Sequence, residues 1–230
     1  MKLKLLTLLL AATALTAACD DDDDNTGPDG GARVRVVHAS PDAPNVDVLL
    51  DDNEVLSDLA YLEASDYLEA SAGGHNVKVN AAGTATTVID ADVTLAEGAD
   101  YTVIASGLAA EITPIVLLDD NSTPEAGNAR VRAIHGAPGA PAVDVYVTAP
   151  GADIETALPV LTSVEFGDVG DYLDVPAGDY QVRVTLAGTK VAAIDSGTLT
   201  LESGDVRTAI AVDAPGGGAP FDLLVLADLN

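Results

Sequence analysis

The feature that most constrains the fold of this chain is an internal repeat. Residues 32–48 read ARVRVVHASPDAPNVDV and residues 129–145 read ARVRAIHGAPGAPAVDV, and they are identical at 11 of 17 positions. Their starts, 32 and 129, lie 97 residues apart, a spacing longer than solenoid repeats and close to the length of a small all-β domain. The sequence therefore predicts two copies of one module, at 32–121 and 129–230, joined by a linker at 122–128.

Short alternating apolar segments separated by turn residues fill each module. Val34 and Val36 alternate with Arg33 and Arg35, which predicts a half-buried first strand. About seven such strands, with turn signals roughly every 8–12 residues, are typical of a β-sandwich. We therefore expect an all-β chain of two tandem immunoglobulin-like antiparallel β-sandwich domains after a signal peptide and an acidic tether. The polar linker predicts a soft orientation between them.

The composition is strongly acidic. There are 37 Asp and Glu residues against 10 Lys and Arg, which gives a formal net charge of −27. Such a charge repels nucleic acids and anionic lipid surfaces and argues against both as partners. Two interpretations remain, which are solubility in a salty environment and binding of divalent cations. The first is favoured because the acidic residues are spread along the chain.

The first 18 residues predict a secretory signal peptide. A short basic start precedes an apolar stretch at 5–15 that is too short to remain as a transmembrane helix. Cys19, the only cysteine, follows Thr-Ala-Ala at 16–18, and this arrangement resembles the lipobox of bacterial lipoproteins. The resemblance implies cleavage before Cys19 and lipidation of its thiol, and several acyl chains give stable anchoring. Because Thr16 stands where that motif favours Leu, cleavage after Ala-Thr-Ala at 12–14, which releases a soluble protein, is the alternative.

Residues 19–31 then form an acidic tether. Five Asp residues at 20–24 are followed by NTGPDGG, a composition that is solvated and self-repelling rather than packed. The expected localisation is the cell envelope, with the protein lipid-anchored at the outer membrane or cell surface. The periplasmic face is the alternative.

Motifs that occur in both modules carry a family resemblance. The pattern V-R-x-x-H-x-x-P-x-A-P-x-V-D-V spans 34–48 and 131–145, and D-Y-L-x-x-x-A-G spans 66–73 and 171–178. Together these motifs resemble the bacterial family called domain of unknown function 4397. The resemblance covers nearly all of the chain after the tether. It implies a secreted or lipid-anchored envelope protein built from β-sandwich modules, and it implies no activity.

Two histidines and two aspartates recur at equivalent positions. His38 and His135 each precede a Pro-x-Ala-Pro turn, and Asp47 and Asp144 each lie between two valines. In one interpretation the histidines are metal ligands or general bases, together with the aspartates. In the other they are structural groups: the histidine ring bonds the turn that follows, and the aspartate caps the preceding turn. The structural interpretation is favoured because neighbouring polar residues are not retained in the second copy. We predict no catalytic, cofactor-binding or metal-binding residues.

The function expected from the sequence is that of a non-enzymatic lipid-anchored cell-envelope protein, acting as a structural, adhesion or protein-binding module. Its expected partners are the membrane, through the lipid at Cys19, and an envelope protein or glycan, with no nucleic acid and no cofactor. The alternative is a surface module that binds glycans, through Tyr61 or Tyr146, or calcium, at the turns 51–53 and 119–121. A hydrolase is disfavoured because no G-x-S-x-G motif is present.

Overall fold

A computed structural model of the chain describes residues 31–228. The signal peptide, Cys19 and nearly all of the tether lie outside the described residues. No helix within the described range is long and apolar enough to cross a membrane. Two single-turn 3₁₀ helices occur in it, at Ala109–Glu111 and Ile154–Thr156, and the other regular elements are strands.

The strands fall into two groups along the chain. The first module contains β1 (Gly31–Ala39), β2 (Val46–Leu50), β3 (Asn53–Leu59), β4 (Leu68–Ser71), β5 (Gly73–Ala81), β6 (Thr87–Leu95), β7 (Asp100–Ser106) and β8 (Thr113–Asp119). The second module contains β9 (Asn128–His135), β10 (Val143–Thr148), β11 (Leu161–Val164), β12 (Leu173–Pro176), β13 (Gly178–Leu186), β14 (Ala192–Asp195), β15 (Leu199–Leu201), β16 (Val206–Val212) and β17 (Asp222–Ala227).

Each module is a sandwich of two sheets. In the first module the inner sheet has the order β4-β1-β7-β8 and the outer sheet the order β3-β2-β5-β6. In the second module the inner sheet has the order β12-β9-β16-β17, and the outer sheet has the order β11-β10-β13-β14 with β15 also paired to β13. The sheets correspond pair by pair. The prediction of an all-β chain built from tandem β-sandwiches is confirmed.

One ladder in each inner sheet departs from the predicted antiparallel pairing. Strand β1 pairs with β7 in parallel, and β9 pairs with β16 in parallel, whereas the other ladders between described strands are antiparallel. The description of these sandwiches as antiparallel is therefore wrong for the central ladder. The reason is that the chain passes through the outer sheet between β1 and β7 and returns in its original direction.

Aliphatic side chains fill the space between the sheets of the first module. On the inner sheet Val36 is buried, and it faces buried valines on β2 and β5 of the outer sheet. These valines alternate with polar residues along each strand, and alternate residues of a strand point to opposite faces of its sheet. Branched aliphatic residues suit such half-buried faces, which explains how a chain without Trp builds its cores.

The two inner sheets pack face to face, so the chain forms four layers. Their shared core combines buried residues of both modules: Val37, Ala39, Ile104, Leu117, Ile134, Ile210, Val212 and Leu226. The predicted soft orientation between the modules is therefore wrong.

The prediction of a half-buried first strand is also wrong, because the inner sheet that contains β1 packs against the other module. Val36 faces the sandwich interior, and Val37 faces the other module. Arg35, on the face that the alternation predicts to be solvated, is only 3% exposed. The pattern of a single strand does not reveal that its polar face meets a second sheet.

Candidate functional site

The repeated histidines are buried and bonded to the turns that follow them. His38 Nε2 lies 3.0 Å from the carbonyl oxygen of Pro44, and the Ser40 amide donates to His38 Nδ1 at 3.3 Å. His135 makes the same two contacts at 3.2 and 3.4 Å, with the carbonyl six residues on and the amide two residues on. The predicted bond between ring and turn is confirmed.

These contacts define what the rings can do. Burial lowers the pKa of His38, which favours the neutral ring, so Nδ1 accepts the amide and Nε2–H donates to the carbonyl. A metal ligand or general base needs a free ring nitrogen. Since both nitrogens of each histidine already have partners, the arrangement is structural.

The repeated aspartates each bond two backbone amides. Asp47 accepts hydrogen bonds from the amides of Asp58, at 2.9 Å, and Gly83, at 2.8 Å. Asp144 likewise accepts two amides at 2.8 Å, at the equivalent positions 163 and 188. The prediction that they cap the preceding turn is therefore wrong. Strand β2 lies between β3 and β5, so its aspartate reaches an amide within β3 on one side and an amide in the turn after β5 on the other.

A set of eight polar residues lies between the inner sheets, and we call it the arginine–aspartate network. Its members are Arg35, Tyr67, Thr102 and Asp119 of the first module and Arg132, Tyr172, Thr208 and Asp228 of the second. Each module contributes one arginine, one tyrosine, one threonine and one aspartate, at equivalent positions in the two sandwiches. Both arginines are buried, at 3% and 4% exposure.

Arg35 crosses from the first module to the second. Its Nη2 donates to Asp228 Oδ1 at 2.6 Å, and its Nη1 donates to the carbonyl oxygen of Ala227 at 2.8 Å. Within its own module, Nη2 and Nε donate to Thr102 Oγ1 at 2.8 and 3.1 Å. The guanidinium carbon lies 4.8 Å from the ring centroid of Tyr67, within the range of a cation–π interaction.

Arg132 makes the reciprocal set of contacts. Its Nη2 donates to Asp119 of the first module, and its Nη1 donates to the carbonyl oxygen of Leu118 at 3.2 Å. Its Nε donates to Thr208 Oγ1 at 2.8 Å, and its guanidinium carbon lies 4.5 Å from the centroid of Tyr172. Each module thus gives an arginine to the other and accepts one, as in an isologous two-fold interface.

The carboxylates of the network have several donors each. Asp119 accepts from Thr102 at 2.6 Å and from Tyr67 at 2.7 Å in addition to the arginine, and Asp228 is bonded in the same way in the second module. Burial raises the pKa of Tyr67 to about 12, so its hydroxyl remains a donor at neutral pH. Buried charges need this degree of satisfaction, because desolvation otherwise exceeds the Coulombic gain.

A turn of the second module contacts the first module beside this interface. The amide of Gly216 donates to the carbonyl oxygen of Pro41 at 2.7 Å, and the hydroxyl of Tyr61 donates to the carbonyl oxygen of Asp213 at 2.6 Å. Gly216 has a φ of 93°, a conformation that residues with a Cβ rarely adopt. The turn therefore adds direct backbone contacts between the modules.

The tyrosines of the glycan alternative are engaged in structural contacts. Tyr61 is bonded to Asp213, as described above. Tyr146 is buried at 3% exposure, with Lys190 Nζ 4.4 Å from its ring centroid. Sugar binding by stacking needs a free ring face. The ring of Tyr146 provides no exposed platform of that kind, whereas Tyr61 is half-buried.

The turns predicted for calcium hold carboxylates that already have partners. Asp51 accepts from the ring of His75 at 2.7 Å and from the amide of Asn76 at 2.9 Å. Asp52 pairs with Lys78 at 2.5 Å, and Asp119 belongs to the arginine–aspartate network. Among residues 31–228 no group of three or more His, Cys, Asp or Glu side chains is placed to hold a metal ion.

Sequence reasoning missed the network, although a signal for it was present. Arg35 and Arg132 fall inside the repeated segment, and the acidic ends at 119–121 and 228–230 also correspond between the modules. Opposite charges that recur at matched positions in both copies indicate pairing. What the sequence lacks is any indication that each pair joins residues of different modules.

Comparisons with solved structures return weak likenesses. One structure concerns alpha-glucan binding by a streptococcal virulence factor, is 13% identical, covers 78% of this chain and 92% of that chain, and has a TM-score of 0.26. A family 26 carbohydrate-binding module from Eubacterium rectale, in complex with maltoheptaose, is 9% identical over 87% of this chain and 98% of that chain, with a TM-score of 0.25. Likenesses with TM-scores this low support no conclusion about function or ligand.

Sequence comparisons are more decisive. No curated protein matches the chain. A family model described as domain of unknown function (DUF4397) matches residues 32–146 and 147–230. The two matches together span nearly all of the chain after the tether. The chain therefore belongs to the DUF4397 family.

Proposed function

We propose that this chain is a non-enzymatic, lipid-anchored protein of the cell envelope whose two modules act as one rigid structural or protein-binding unit. The observation that carries the proposal is the reciprocal arginine–aspartate network together with the apolar core that both modules share. A flexible pair of binding modules has no need of such an interface. A rigid unit needs one, because the interface holds its outer surfaces at a constant separation.

The hydrogen bonds of the repeated polar residues support the proposal that the protein is not an enzyme. The histidines bond their turns, the aspartates of β2 and β10 bond backbone amides, and the arginines and tyrosines bond across or beside the interface. Each of these residue types serves catalysis in other proteins. Here their polar atoms are already occupied by the fold.

The anchoring part rests on the N-terminal sequence. Cys19 follows a signal peptide, and the acidic residues 20–30 separate it from β1. A chain of this length spans at most about 40 Å when fully extended. Such a tether holds the rigid unit close to the membrane, and its charge keeps it solvated.

Replacement of the cysteine tests the anchor. We expect the full-length protein, expressed in its bacterial host, to sediment with membranes and to carry a diacylglycerol on Cys19 by mass spectrometry. Cys19→Ser removes the thiol, so this variant should lose both the modification and the membrane association. Membrane association that persists in Cys19→Ser, or an unmodified thiol in the wild type, contradicts the proposal.

Protease treatment of intact cells tests the location. Exposure at the cell surface predicts that added protease digests the protein without lysis. Protection until the outer membrane is opened indicates the periplasmic face instead. A periplasmic protein of known location, measured in the same samples, controls for leakage.

A further inference from the structure

The interior of the second module contains an apolar cavity of about 250 Å³. Its walls come from both sheets, with Val131, Ala133 and Ala209 on the inner sheet and Val145 and Val182 on the outer sheet. The strands that carry these residues are hydrogen-bonded to neighbours on both sides. Their backbone groups are thereby used within the sheets, and the cavity presents aliphatic walls.

The cavity coincides with a difference in side-chain size between the modules. On the central ladder of the first module Val36 lies beside Val103, and both are buried. The equivalent neighbours in the second module are Ala133 and Ala209. Since protein interiors are close-packed, two alanines in place of two valines leave unfilled space between the sheets.

The outer sheet also changes beside the cavity. Strand β6 of the first module is continuous, whereas its counterpart in the second module is divided into β14 and β15. Gly197, between these two strands, has a φ of 62°, and Leu199 and Leu201 of β15 line the cavity. In the second sandwich, therefore, the short strand β15 forms part of the cavity wall, whereas the first sandwich has the continuous strand β6 in the corresponding place.

Exposed apolar side chains surround the cavity. Val160, Leu173 and Val225 all line it, and they are 49%, 52% and 41% exposed. Single exposed apolar residues are ordinary on a protein surface. Three of them on the border of one apolar cavity instead form an entrance through which a hydrocarbon reaches the interior from water.

The charges around the cavity indicate an uncharged ligand. Arg132 contributes to the lining, but its guanidinium is bonded to Asp119 in the interface. Arg207 pairs with Asp205 at 2.9 Å, and Asp171 is an exposed acid at the border. With a net charge of −27 for the chain, an anionic head group meets repulsion rather than a counter-charge.

We propose that the second module binds an uncharged alkyl chain between its two sheets, and that the first module does not. The size follows by scaling, because an apolar protein cavity of about 150 Å³ binds benzene. A cavity of about 250 Å³ accordingly accepts a chain of about ten carbons. This site is independent of the membrane anchor, so the failure of either proposal leaves the other intact.

A fluorescent probe of apolar sites tests the proposal. The chain from Asp20 onward, which retains all described strands, is titrated with 1-naphthylamine, an uncharged fluorophore of ten carbons that matches the size of the cavity, and the bound probe is then displaced with 1-decanol. We expect saturable binding of the probe and its displacement by 1-decanol. In the double variant Ala133→Val/Ala209→Val, which restores the side chains of the first module, we expect at least tenfold weaker binding of both.

Matched controls separate filling of the cavity from damage to the fold. Ala192→Val makes the same change at an exposed position of β14, and this variant should bind as the wild type does. The single variants Ala133→Val and Ala209→Val, each checked by its melting temperature, replace the double variant if that chain does not fold. Absence of probe binding to the wild type overturns the proposal, as does unchanged binding in folded cavity-filled variants. Tighter binding of decanoate than of 1-decanol overturns the assignment of an uncharged ligand.

Discussion

The two modules share one arrangement of strands but differ in how they fill it. On the central ladder, Val36 and Val103 pack the first sandwich, whereas Ala133 and Ala209 leave a cavity in the second. Where the modules meet, however, arginine, threonine, aspartate and tyrosine occur at matched positions in both. The copies agree in the arginine–aspartate network and differ in the side chains of the central ladder that face each interior. The interface is therefore the common property of the pair, and the cavity described lies in the second module.

The largest effects are expected at the interface, and they should be equal for the two modules. Asp228→Ala leaves Arg35 buried without its carboxylate, and Asp119→Ala does the same to Arg132. Loss of one partner of a buried ion pair lowers the free energy of unfolding by about 3–5 kcal/mol. Urea denaturation followed by circular dichroism measures both changes.

An exposed ion pair provides the control for these variants. Lys78 pairs with Asp52, whose side chain is largely exposed, so Lys78→Ala should change the free energy of unfolding by less than about 1 kcal/mol. A large loss for one aspartate variant with little change for the other would show that the interface is not reciprocal.

Exchange of the core residues should act with opposite sign in the two modules. Val36→Ala removes two buried carbons from the first module and should cost about 2 kcal/mol of unfolding free energy. Ala133→Val adds them where space exists, and filling a cavity typically stabilises by about 0.5–2 kcal/mol. Melting temperatures measured by scanning fluorimetry report both signs. If Ala133→Val destabilises the chain, the second module is already fully packed and the contrast between the modules disappears.

The smallest effect expected is a pH dependence that comes from two histidines of the first module. Burial lowers the pKa of His38, so its contribution to stability is present above the pKa of the unfolded state, about 6.5, and declines as the pH falls below it. The hydrogen bond with Asp51 raises the pKa of His75, so its contribution is present below about pH 6.5 and is lost as the pH rises through the folded-state pKa. The second module has Tyr180 at the position equivalent to His75.

Two variants separate these opposite contributions. His38→Gln should destabilise the chain less at pH 5.5 than at pH 7.5, because the wild type has lost part of this contribution at the lower pH. His75→Asn should destabilise it more at pH 5.5, where the charged ring pairs with Asp51. Urea midpoints at the two pH values measure both differences, and equal destabilisation at both values contradicts the assignment.

The sequence predicted the local features of the fold better than the contacts between distant parts. The alternating valines and the turns identify strands and sandwiches, and the position of His38 before a proline turn predicts the bond of its ring, because these features depend on near neighbours. Burial of Arg35 depends on a sheet that lies almost two hundred residues away in the chain, since it bonds Asp228 over a separation of 193 residues. The cavity escaped prediction because it depends on how two alanines on different strands come to lie side by side.

The central claim is that the two modules form one structural unit, and scanning calorimetry of the chain from Asp20 onward tests it most directly. If the shared core and the arginine–aspartate network couple the modules, heating should produce a single transition whose calorimetric enthalpy equals its van't Hoff enthalpy. Two separate transitions, or a calorimetric enthalpy near twice the van't Hoff value, would show that the modules unfold independently and would contradict the account.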